Sequence, residues 1–156
     1  MSDPAPIRPE ITAAVTRGAA RLMTALGWAP VLEFPRPNGR RADLMGLSPK
    51  GAFAIVEVKS CVEDYRCDQK WGEYAPYCDA FYFAVPPEFP RELIPEGPGL
   101  IVADGFGGAV LTEAPETPLA PARRKALTLQ FARLAAMRSL NPLLPTGGEG
   151  GRGAVG

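Results

Sequence analysis

The chain has 156 residues, 17 basic and 17 acidic side chains, and no histidine. Its apolar content of 46% is typical of a folded chain with a core and excludes a disordered one. A formal net charge of zero excludes a global field that attracts DNA, so any binding of nucleic acid must come from a local basic patch. The absence of histidine excludes Ser-His-Asp and Cys-His catalysis and His-ligated zinc.

The sequence contains no apolar run of about 18 residues or more, so we expect no membrane span. The first residues lack the charged-then-apolar pattern of a secretion signal. Three cysteines, Cys61, Cys67 and Cys78, form no Cys-x-x-Cys pair and cannot pair off evenly, which indicates reduced thiols. Together these features predict a cytoplasmic protein that is not attached to a membrane.

The composition divides the chain into three parts. Residues 1–8 are polar and contain prolines, which predicts a flexible arm. Residues 9–140 carry the periodic apolar patterns, and their length predicts a single domain. Residues 141–156 are rich in glycine and proline, which predicts a disordered tail.

Apolar residues at three- and four-residue spacing predict a first helix over Pro9–Leu26 and a closing helix over Ala122–Leu140. Arg17 and Arg21 lie near the side opposite the apolar stripe of the first helix, where we expect a solvated face. A further helix is predicted from about Tyr65 towards Cys78, although the glycine and proline inside this range weaken it.

Apolar and aromatic runs bounded by turn residues predict six strands between the first and last helices. The first three are expected to form a meander, and the helix after them crosses over to the fourth strand. The last two are expected to form a second hairpin. The result is an α/β sheet. These strands are Trp28–Phe34, Arg40–Leu47, Gly51–Ser60, Ala80–Val85, Gly99–Asp104 and Ala109–Thr112.

Charged residues interrupt the apolar pattern of the second and third strands. Glu57 and Lys59 are two residues apart on one strand, so their side chains share a face with Ile55, while the alternate valines and alanine can be buried. An acid and a lysine in an apolar strand are costly unless they are paired or used. With Asp43 alongside on the neighbouring strand, the set is two carboxylates and one ammonium, which suits a hard divalent cation and an activated water.

This set has a functional and a structural interpretation. In the functional one, Mg²⁺ or Mn²⁺ is held by Asp43, Glu57 and the carbonyl oxygen of Val58, and Lys59 orients or deprotonates the attacking water in phosphodiester hydrolysis. In the structural one, the motif is an exposed Glu-x-Lys pair on a hairpin with an unrelated turn aspartate, since such triplets also arise by chance.

Two basic clusters are candidates for DNA contact. Arg36, Arg40, Arg41 and Lys50 stand close to Asp43 in sequence and are candidates for binding phosphates, with an ordinary charged turn as the alternative. The second cluster, residues 123–125, either binds the DNA backbone or flanks the proline-rich connector. The three large aromatic residues after the motif, Trp71, Tyr74 and Tyr77, either stack on bases or pack in the core.

The order helix, Asp43, Glu57-Val58-Lys59, helix, strand resembles the core of the PD-(D/E)XK nuclease superfamily. A closer resemblance, from about Gly27 to Leu140, is to the MmcB family of bacterial DNA-repair proteins. It is carried by four stretches: Leu32-Glu33-Phe34-Pro35, Pro37-Asn38-Gly39-Arg40-Arg41-Ala42-Asp43-Leu44-Met45, Ile55-Val56-Glu57-Val58-Lys59-Ser60 and Phe81-Tyr82-Phe83-Ala84-Val85-Pro86-Pro87.

The resemblance implies a restriction-endonuclease-like PD-(D/E)XK core of order αβββαβ with an added β-hairpin and a C-terminal helix. Asp43 then corresponds to the first acid of the motif, Glu57 to the second and Lys59 to its lysine. The implied function is a metal-dependent DNA endonuclease in DNA repair that acts on damaged or structured DNA. The alternative is a catalytically weak or inactive DNA-binding repair module of the same fold.

The sequence departs from the superfamily pattern in two places. Ala42 stands where a proline usually precedes the first acid. The only acid on the first helix is Glu10, at its very start, so Glu33 is the substitute candidate for an additional acid, and one-metal chemistry is the safer expectation. The resemblance also makes Lys70 a candidate for DNA contact. DNA is the implied partner, and other repair proteins and a second copy of the chain are further candidates.

Overall fold

The computed structural model describes residue 4 and residues 6–37, 39–62 and 71–141. Its helices and strands agree with the predicted ones to within about two residues, except in the segment before the fourth strand. They are α1 (Arg8–Ala25), β1 (Ala29–Pro35), β2 (Arg41–Leu47), β3 (Phe53–Val58), β4 (Ala80–Val85), β5 (Gly99–Ala103), β6 (Gly108–Thr112) and α2 (Pro121–Leu140), with 3-10 helices at Trp71–Tyr77 and Arg91–Leu93. None of the described helices is long and apolar enough to cross a membrane.

One mixed sheet contains all six strands in the order β1-β2-β3-β4-β5-β6. The first three strands are antiparallel neighbours, so the predicted meander is confirmed. β4 runs parallel to β3 and β5 runs parallel to β4. β6 returns antiparallel to β5, which confirms the second hairpin. The fold is therefore a mixed α/β fold.

The segment before β4 differs from the predicted helix. Residues 63–70 lie outside the described residues, and the rest of the segment is the 3-10 helix Trp71–Tyr77. Pro76 inside this helix has no N–H to donate, which disfavours a regular α-helix. Tyr74 is only 5% exposed, and the Trp71 ring stacks on Phe81 with the centroids 6.1 Å apart. These two aromatic residues therefore pack in the core.

Alternation along β3 sends its side chains into two cores. Val56 and Val58 pack under α1, in a cluster that includes Val15, Ala19 and Met23. Phe53 and Ile55 face the opposite layer, which α2 covers with Leu127 and Phe131. The rings of Phe53 and Phe131 meet edge to face with centroids 5.9 Å apart. β3 is thus buried on both faces, whereas the sequence predicted burial only for the face that carries Val56 and Val58.

Gly18 allows α1 to lie directly on the turn that connects β5 and β6. A Cβ atom at this position would overlap the carbonyl oxygen of Asp104 and lie 2.6 Å from that of Gly107. Only glycine fits such a close approach of a helix to a backbone. This contact fixes the height of α1 above the sheet, including its N-terminal half.

Asp79 connects three segments at the start of the parallel strands. Its buried carboxylate accepts hydrogen bonds from the N–H groups of Phe53 (2.7 Å) and Leu119 (2.9 Å) and a bidentate pair from Arg124 (2.9 and 2.5 Å). Arg124 also donates to the Gly51 carbonyl oxygen at 2.7 Å. Burial alone raises the pKa of Asp79, but the hydrogen bonds from Arg124 and the two N–H groups outweigh it and lower the pKa. Arg124 is therefore a structural residue.

Replacing Arg124 by Ala is expected to destabilise the protein by roughly 2–4 kcal/mol at neutral pH, because the Asp79 charge is then buried without its cation. Because the pKa of Asp79 is lowered, its stabilisation is present above the ordinary value of 3.8 and is lost as the pH falls through the folded-state pKa. The penalty should therefore shrink in acid. Urea unfolding at several pH values measures it.

The neighbouring Lys125 is exposed, so Lys125→Ala is the matched control and should change the free energy of unfolding by less than about 0.5 kcal/mol. Equal urea midpoints for the two variants would contradict this role of Arg124.

Candidate functional site

The backbone pairing of β2 with β3 stops next to the predicted acids, Asp43 and Glu57. Beyond this point, hydrogen bonds to the carboxylates of these acids connect the two strands. The last pair in their backbone register is Leu44 with Val56. Beyond it, the Asp43 N–H donates to Oε1 of Glu57 at 3.2 Å, and the Val58 N–H donates to Oδ2 of Asp43 at 2.8 Å. Two carboxylates thus replace the backbone ladder, and the structure brings Asp43 and Glu57 together as predicted from the sequence.

A backbone irregularity in β1 accompanies this separation. Glu33 lies opposite Asp43, between the pairs formed by Leu32 with Leu44 and Phe34 with Ala42, and it has a φ of 48°. A residue other than glycine in this left-handed region is strained by about 1 kcal/mol or more.

At this point β2 changes which of its side chains face α1 and which face α2. Residues two apart on a strand normally share a face, but Leu44 packs in the cluster under α1, whereas Ala42 packs in the cluster under α2. The strand therefore turns over between them. Asp43, the residue in between, lines a cleft beside α1.

Glu57 and Lys59 are not an exposed pair. Glu57 is 5% exposed and Lys59 is 8% exposed, and the Lys59 N–H continues the ladder by donating to the Ala84 carbonyl oxygen at 2.9 Å. Burial and, next, the negative charge of Asp43 raise the pKa of Glu57 to about 8, against the opposing effects of the Asp43 N–H and the Lys59 charge. Its surroundings therefore favour the protonated form of Glu57, and a bound cation would favour the ionised form.

The oxygen atoms at this point suit a hard divalent cation. Asp43 and Glu57 supply carboxylates, and the carbonyl of Val58 points to the same strand edge as its N–H, which donates to Asp43. Mg²⁺ is commonly bound by one or two carboxylates together with waters and substrate phosphates, and these oxygens are of that kind. Among the described residues, no group of three or more His, Cys, Asp or Glu residues could hold a metal.

Neither candidate for an additional acid joins the pair. Glu33 is exposed and its carboxylate lies 3.5 Å from the Arg41 guanidinium, although it lines the same cleft as Asp43. Glu10 accepts a hydrogen bond from the Ile7 N–H at 3.2 Å and lines a different cavity, of about 750 Å³. The expectation that Glu10 is remote from the acids is consistent with this position.

Two of the residues predicted to contact DNA are placed elsewhere. Arg36 is only 5% exposed, and its guanidinium carbon lies 4.1 Å from the centroid of the Tyr74 ring, so it is part of the core. Lys50 is in the turn after β2, beyond the end of the strand, which is itself about 13 Å from Asp43. Closeness to Asp43 in sequence was misleading for both, because the chain turns inwards at Arg36 and β2 leads away from the acids.

The other predicted basic residues have different outcomes. Arg40 and Arg41 are exposed next to the start of β2, on the side of the acids. Arg41 forms its surface ion pair with Glu33. Lys70 lies outside the described residues.

The sequence did not indicate the cleft that contains Asp43. It has a volume of about 1070 Å³ and lies between α1, the edge of the sheet and the end of α2. Its charged lining residues are Arg8, Arg17, Arg21, Glu33, Asp43 and Arg138. The predicted solvated face of α1 is therefore one wall of this cleft. The spacing of Arg17 and Arg21, four residues apart on one helix, was the available signal.

A hydroxyl pair closes the cleft towards β3. Oγ1 of Thr12 donates to Oγ of Ser60 at 2.8 Å, and Ser60 directly follows Lys59. Thr12 lines the cleft that contains Asp43, whereas Ser60 lines the separate cavity. This contact holds the N-terminal half of α1 against the end of the strand that carries Glu57.

Comparisons with known proteins give one family and one similar solved structure. The family model described as "DNA repair protein MmcB-like" matches residues 4–144. A solved structure of a protein of unknown function from Silicibacter pomeroyi is 42% identical, with a TM-score of 0.83, and the alignment covers 88% of this chain and 94% of that one. No curated protein matches the chain.

Replacing Glu57 by Gln tests how much the buried charge of Glu57, next to Asp43, destabilises the folded protein. Because the folded-state pKa of Glu57 is about 8 and its ordinary value is 4.5, folding takes up a proton between these values, and the stability of the parent falls as the pH rises through them. The neutral amide removes this effect. In chelating buffer at pH 8 we expect the variant to be more stable by roughly 1–3 kcal/mol.

Thermal and urea unfolding between pH 5 and about 8.5 measure the difference. Glu96→Gln is the control, since Glu96 is exposed. Identical pH dependence of the parent and Glu57→Gln would show that Glu57 is ionised in the folded protein.

Proposed function

The chain belongs to the MmcB-like family of DNA repair proteins, and we propose that it is a metal-dependent deoxyribonuclease that hydrolyses phosphodiester bonds in damaged or structured DNA. The observation that carries the proposal is the exchange of hydrogen bonds between Asp43 and the Glu57–Val58 segment, with Lys59 buried beside them. Two adjacent acids with a buried lysine at the end of a strand are costly for the fold alone, which favours a catalytic use.

The order of elements supports a PD-(D/E)XK core. Such a core requires a helix, three antiparallel strands, a second helix and a parallel strand. α1, β1–β3 and β4 follow this order and these directions. The second helix of such a core belongs between β3 and β4, where residues 63–70 lie outside the described part of the chain. β5, β6 and α2 are then additions to the core.

The residues divide the chemistry between them. Asp43, Glu57 and the carbonyl of Val58 are proposed to hold Mg²⁺ or Mn²⁺. When bound, the cation supplies charge stabilisation at the phosphate and lowers the pKa of its water. Lys59 orients the attacking water and stabilises the negative charge that develops on the phosphate, an effect that is large because the lysine is 8% exposed and therefore largely screened from solvent.

A DNA-binding repair module without cleavage activity is the second candidate. It is favoured by the small donor set, since the described residues contain no group of three or more His, Cys, Asp or Glu residues that could hold a metal. The two candidates share the fold and the partner, and they differ only in whether a phosphodiester bond is broken.

The purified protein is expected to cut at least one member of a DNA panel with Mg²⁺ or Mn²⁺ and none with chelator. The panel contains single strand, duplex, flap, fork, four-way junction and crosslinked duplex. Lys59→Met keeps the aliphatic stem but removes the charge, and it should lower the cleavage rate about 100-fold or more. Gel assays of the labelled strands measure the rate.

Lys50→Met is the matched control, because Lys50 is exposed in the turn at the other end of the same hairpin. Thermal unfolding verifies that both variants fold. Cleavage that survives in Lys59→Met would contradict the assignment of the site. DNA binding without cutting under every condition would establish the binding module.

Binding of Mn²⁺ should depend on pH through Glu57. Since the pKa of Glu57 is raised to about 8, the cation must displace a proton, and its affinity should rise by up to about tenfold per pH unit below pH 8 and level off above it. Calorimetry in buffers of different protonation enthalpy measures the affinity and the proton released.

Asp43→Asn should weaken this binding strongly. Glu33→Gln tests the remaining candidate for an additional ligand, because it changes the affinity only if the Glu33 carboxylate turns from Arg41 towards the cation. An affinity of the parent that is independent of pH would contradict the participation of Glu57.

A further inference from the structure

The cleft beside Asp43 is basic, although the whole chain has no net charge. Four arginines and two acids line it, so its local charge is positive. One of the acids, Asp43, belongs to the candidate site, and the other, Glu33, is paired with Arg41. Positive charge concentrated in a concave site attracts a polyanion locally even when the total charge is zero.

The arginines follow the length of α1. Arg8 and Arg21 are 13 positions apart on this helix, which corresponds to a rise of about 20 Å. Arg17 and Arg21 share one face, whereas Arg8 lies in the first turn on the opposite side and lines the cleft from its end. Successive phosphates of a DNA strand are about 3.4 Å apart along the axis of a duplex and further apart in an extended strand. The arginines of α1 that line the cleft are thus far enough apart to contact several successive phosphates.

The same cleft offers apolar surface between the charges. Leu32 on β1 is 47% exposed and lines it, and Ala13 and Ala20 of α1 line it from the opposite wall. The faces of unpaired bases can stack on the planes of the guanidinium groups and can cover the apolar surface between them. Paired bases in a duplex are already stacked and present only their edges.

Asp43, the acid that lines the cleft, lies between α1 and the edge of the sheet. Glu57 is 5% exposed, and the hydrogen bond between Thr12 and Ser60 holds α1 against the end of β3. A duplex is a stiff rod with a persistence length of about 50 nm and cannot bend into a cleft of this size. An unpaired strand is flexible and can pass through it.

We propose that this cleft binds one unpaired DNA strand, so that the substrate class of the site is single-stranded DNA, as in a flap or gap, and not intact duplex. This proposal rests on the proposed function for its link to cleavage. In it, Arg8 and Arg17 contact phosphates of the strand in the cleft that Asp43 lines. Arg21, which donates to the Phe106 carbonyl oxygen at 3.3 Å, extends the path towards the turn between β5 and β6.

Arg138 has a different part in the cleft. Its guanidinium donates to the carbonyl oxygens of Leu32 and Glu33. These bonds connect the end of α2 to the edge strand β1 and fix the wall that carries Leu32. Arg138 is therefore a positioning residue, and Arg17, which is exposed, is the better residue for a binding test.

Fluorescence anisotropy in chelating buffer tests the proposal without any need for cleavage. The probes are a labelled single DNA strand, the duplex of the same sequence and the RNA strand of the same sequence. The single strand should bind at least about tenfold more tightly than the duplex and the RNA. Arg17→Glu should weaken strand binding about tenfold or more, and Arg17→Ala should reduce the salt slope of log K by about 0.7 for each phosphate that Arg17 neutralises.

Arg91→Glu is the control, because Arg91 is exposed on the short 3-10 helix Arg91–Leu93 and does not line this cleft. It should leave the affinity unchanged, and thermal unfolding verifies that both variants fold. The proposed strand-binding cleft would be contradicted if duplex bound as tightly as the single strand or more tightly. It would also be contradicted if Arg17→Glu bound the single strand with the affinity of the parent. RNA bound as tightly as DNA would overturn the choice of DNA.

The two proposals fail separately. If single-strand binding depends on Arg17 but no DNA is cleaved with any metal ion, the strand-binding cleft is supported and the nuclease activity is contradicted. If Lys59→Met abolishes cleavage but Arg17→Glu does not affect it, the nuclease activity is supported and the strand-binding cleft is contradicted.

Discussion

The structure depends on how two strands are held together where their backbone ladder stops. Between β2 and β3, carboxylates take the places of carbonyl acceptors, since Asp43 accepts from the Val58 N–H and Glu57 accepts from the Asp43 N–H. Both of these backbone donors are satisfied, but two acids are brought together in a poorly solvated place. The continued pairing of β3 with β4, which extends to the Lys59 N–H, keeps the strand in position.

A buried acid lies near each end of β3, and the surroundings shift the pKa values of these two acids in opposite directions. Asp79, next to the start of β3, has the bidentate Arg124 and a lowered pKa, so its charge is fully compensated within the fold. Glu57, near the other end, has an acid as its neighbour and a raised pKa. A compensated charge stabilises a structure, whereas an uncompensated one is poised to take up a cation or a proton. This contrast, more than the sequence motif, separates the structural end of the sheet from the candidate site.

The position of α1 connects the fold to the surface that surrounds the site. Gly18 lets the helix rest on the turn before β6, and Thr12 ties its first half to Ser60. With the helix fixed at both points, its arginines stand along one wall of the cleft that Asp43 lines. A chain without net charge thereby acquires a concentrated basic surface at one place.

The sequence by itself determined the order of the elements, the alternation along β3 and the meeting of Asp43 with Glu57. These follow from periods of 2 and 3.6 residues and from turn residues, which are local properties of the chain. It did not determine that Arg36 is buried on Tyr74, that Lys50 lies at the far end of the hairpin, or that Arg17 and Arg21 face a cleft. Only the tertiary structure decided these, because local spacing fixes which residues share a face but not which other element that face meets. The left-handed backbone at Glu33, which accompanies the turn of Asp43 towards the cleft, has no local sequence signal such as a glycine and is maintained by the pairing on either side of it.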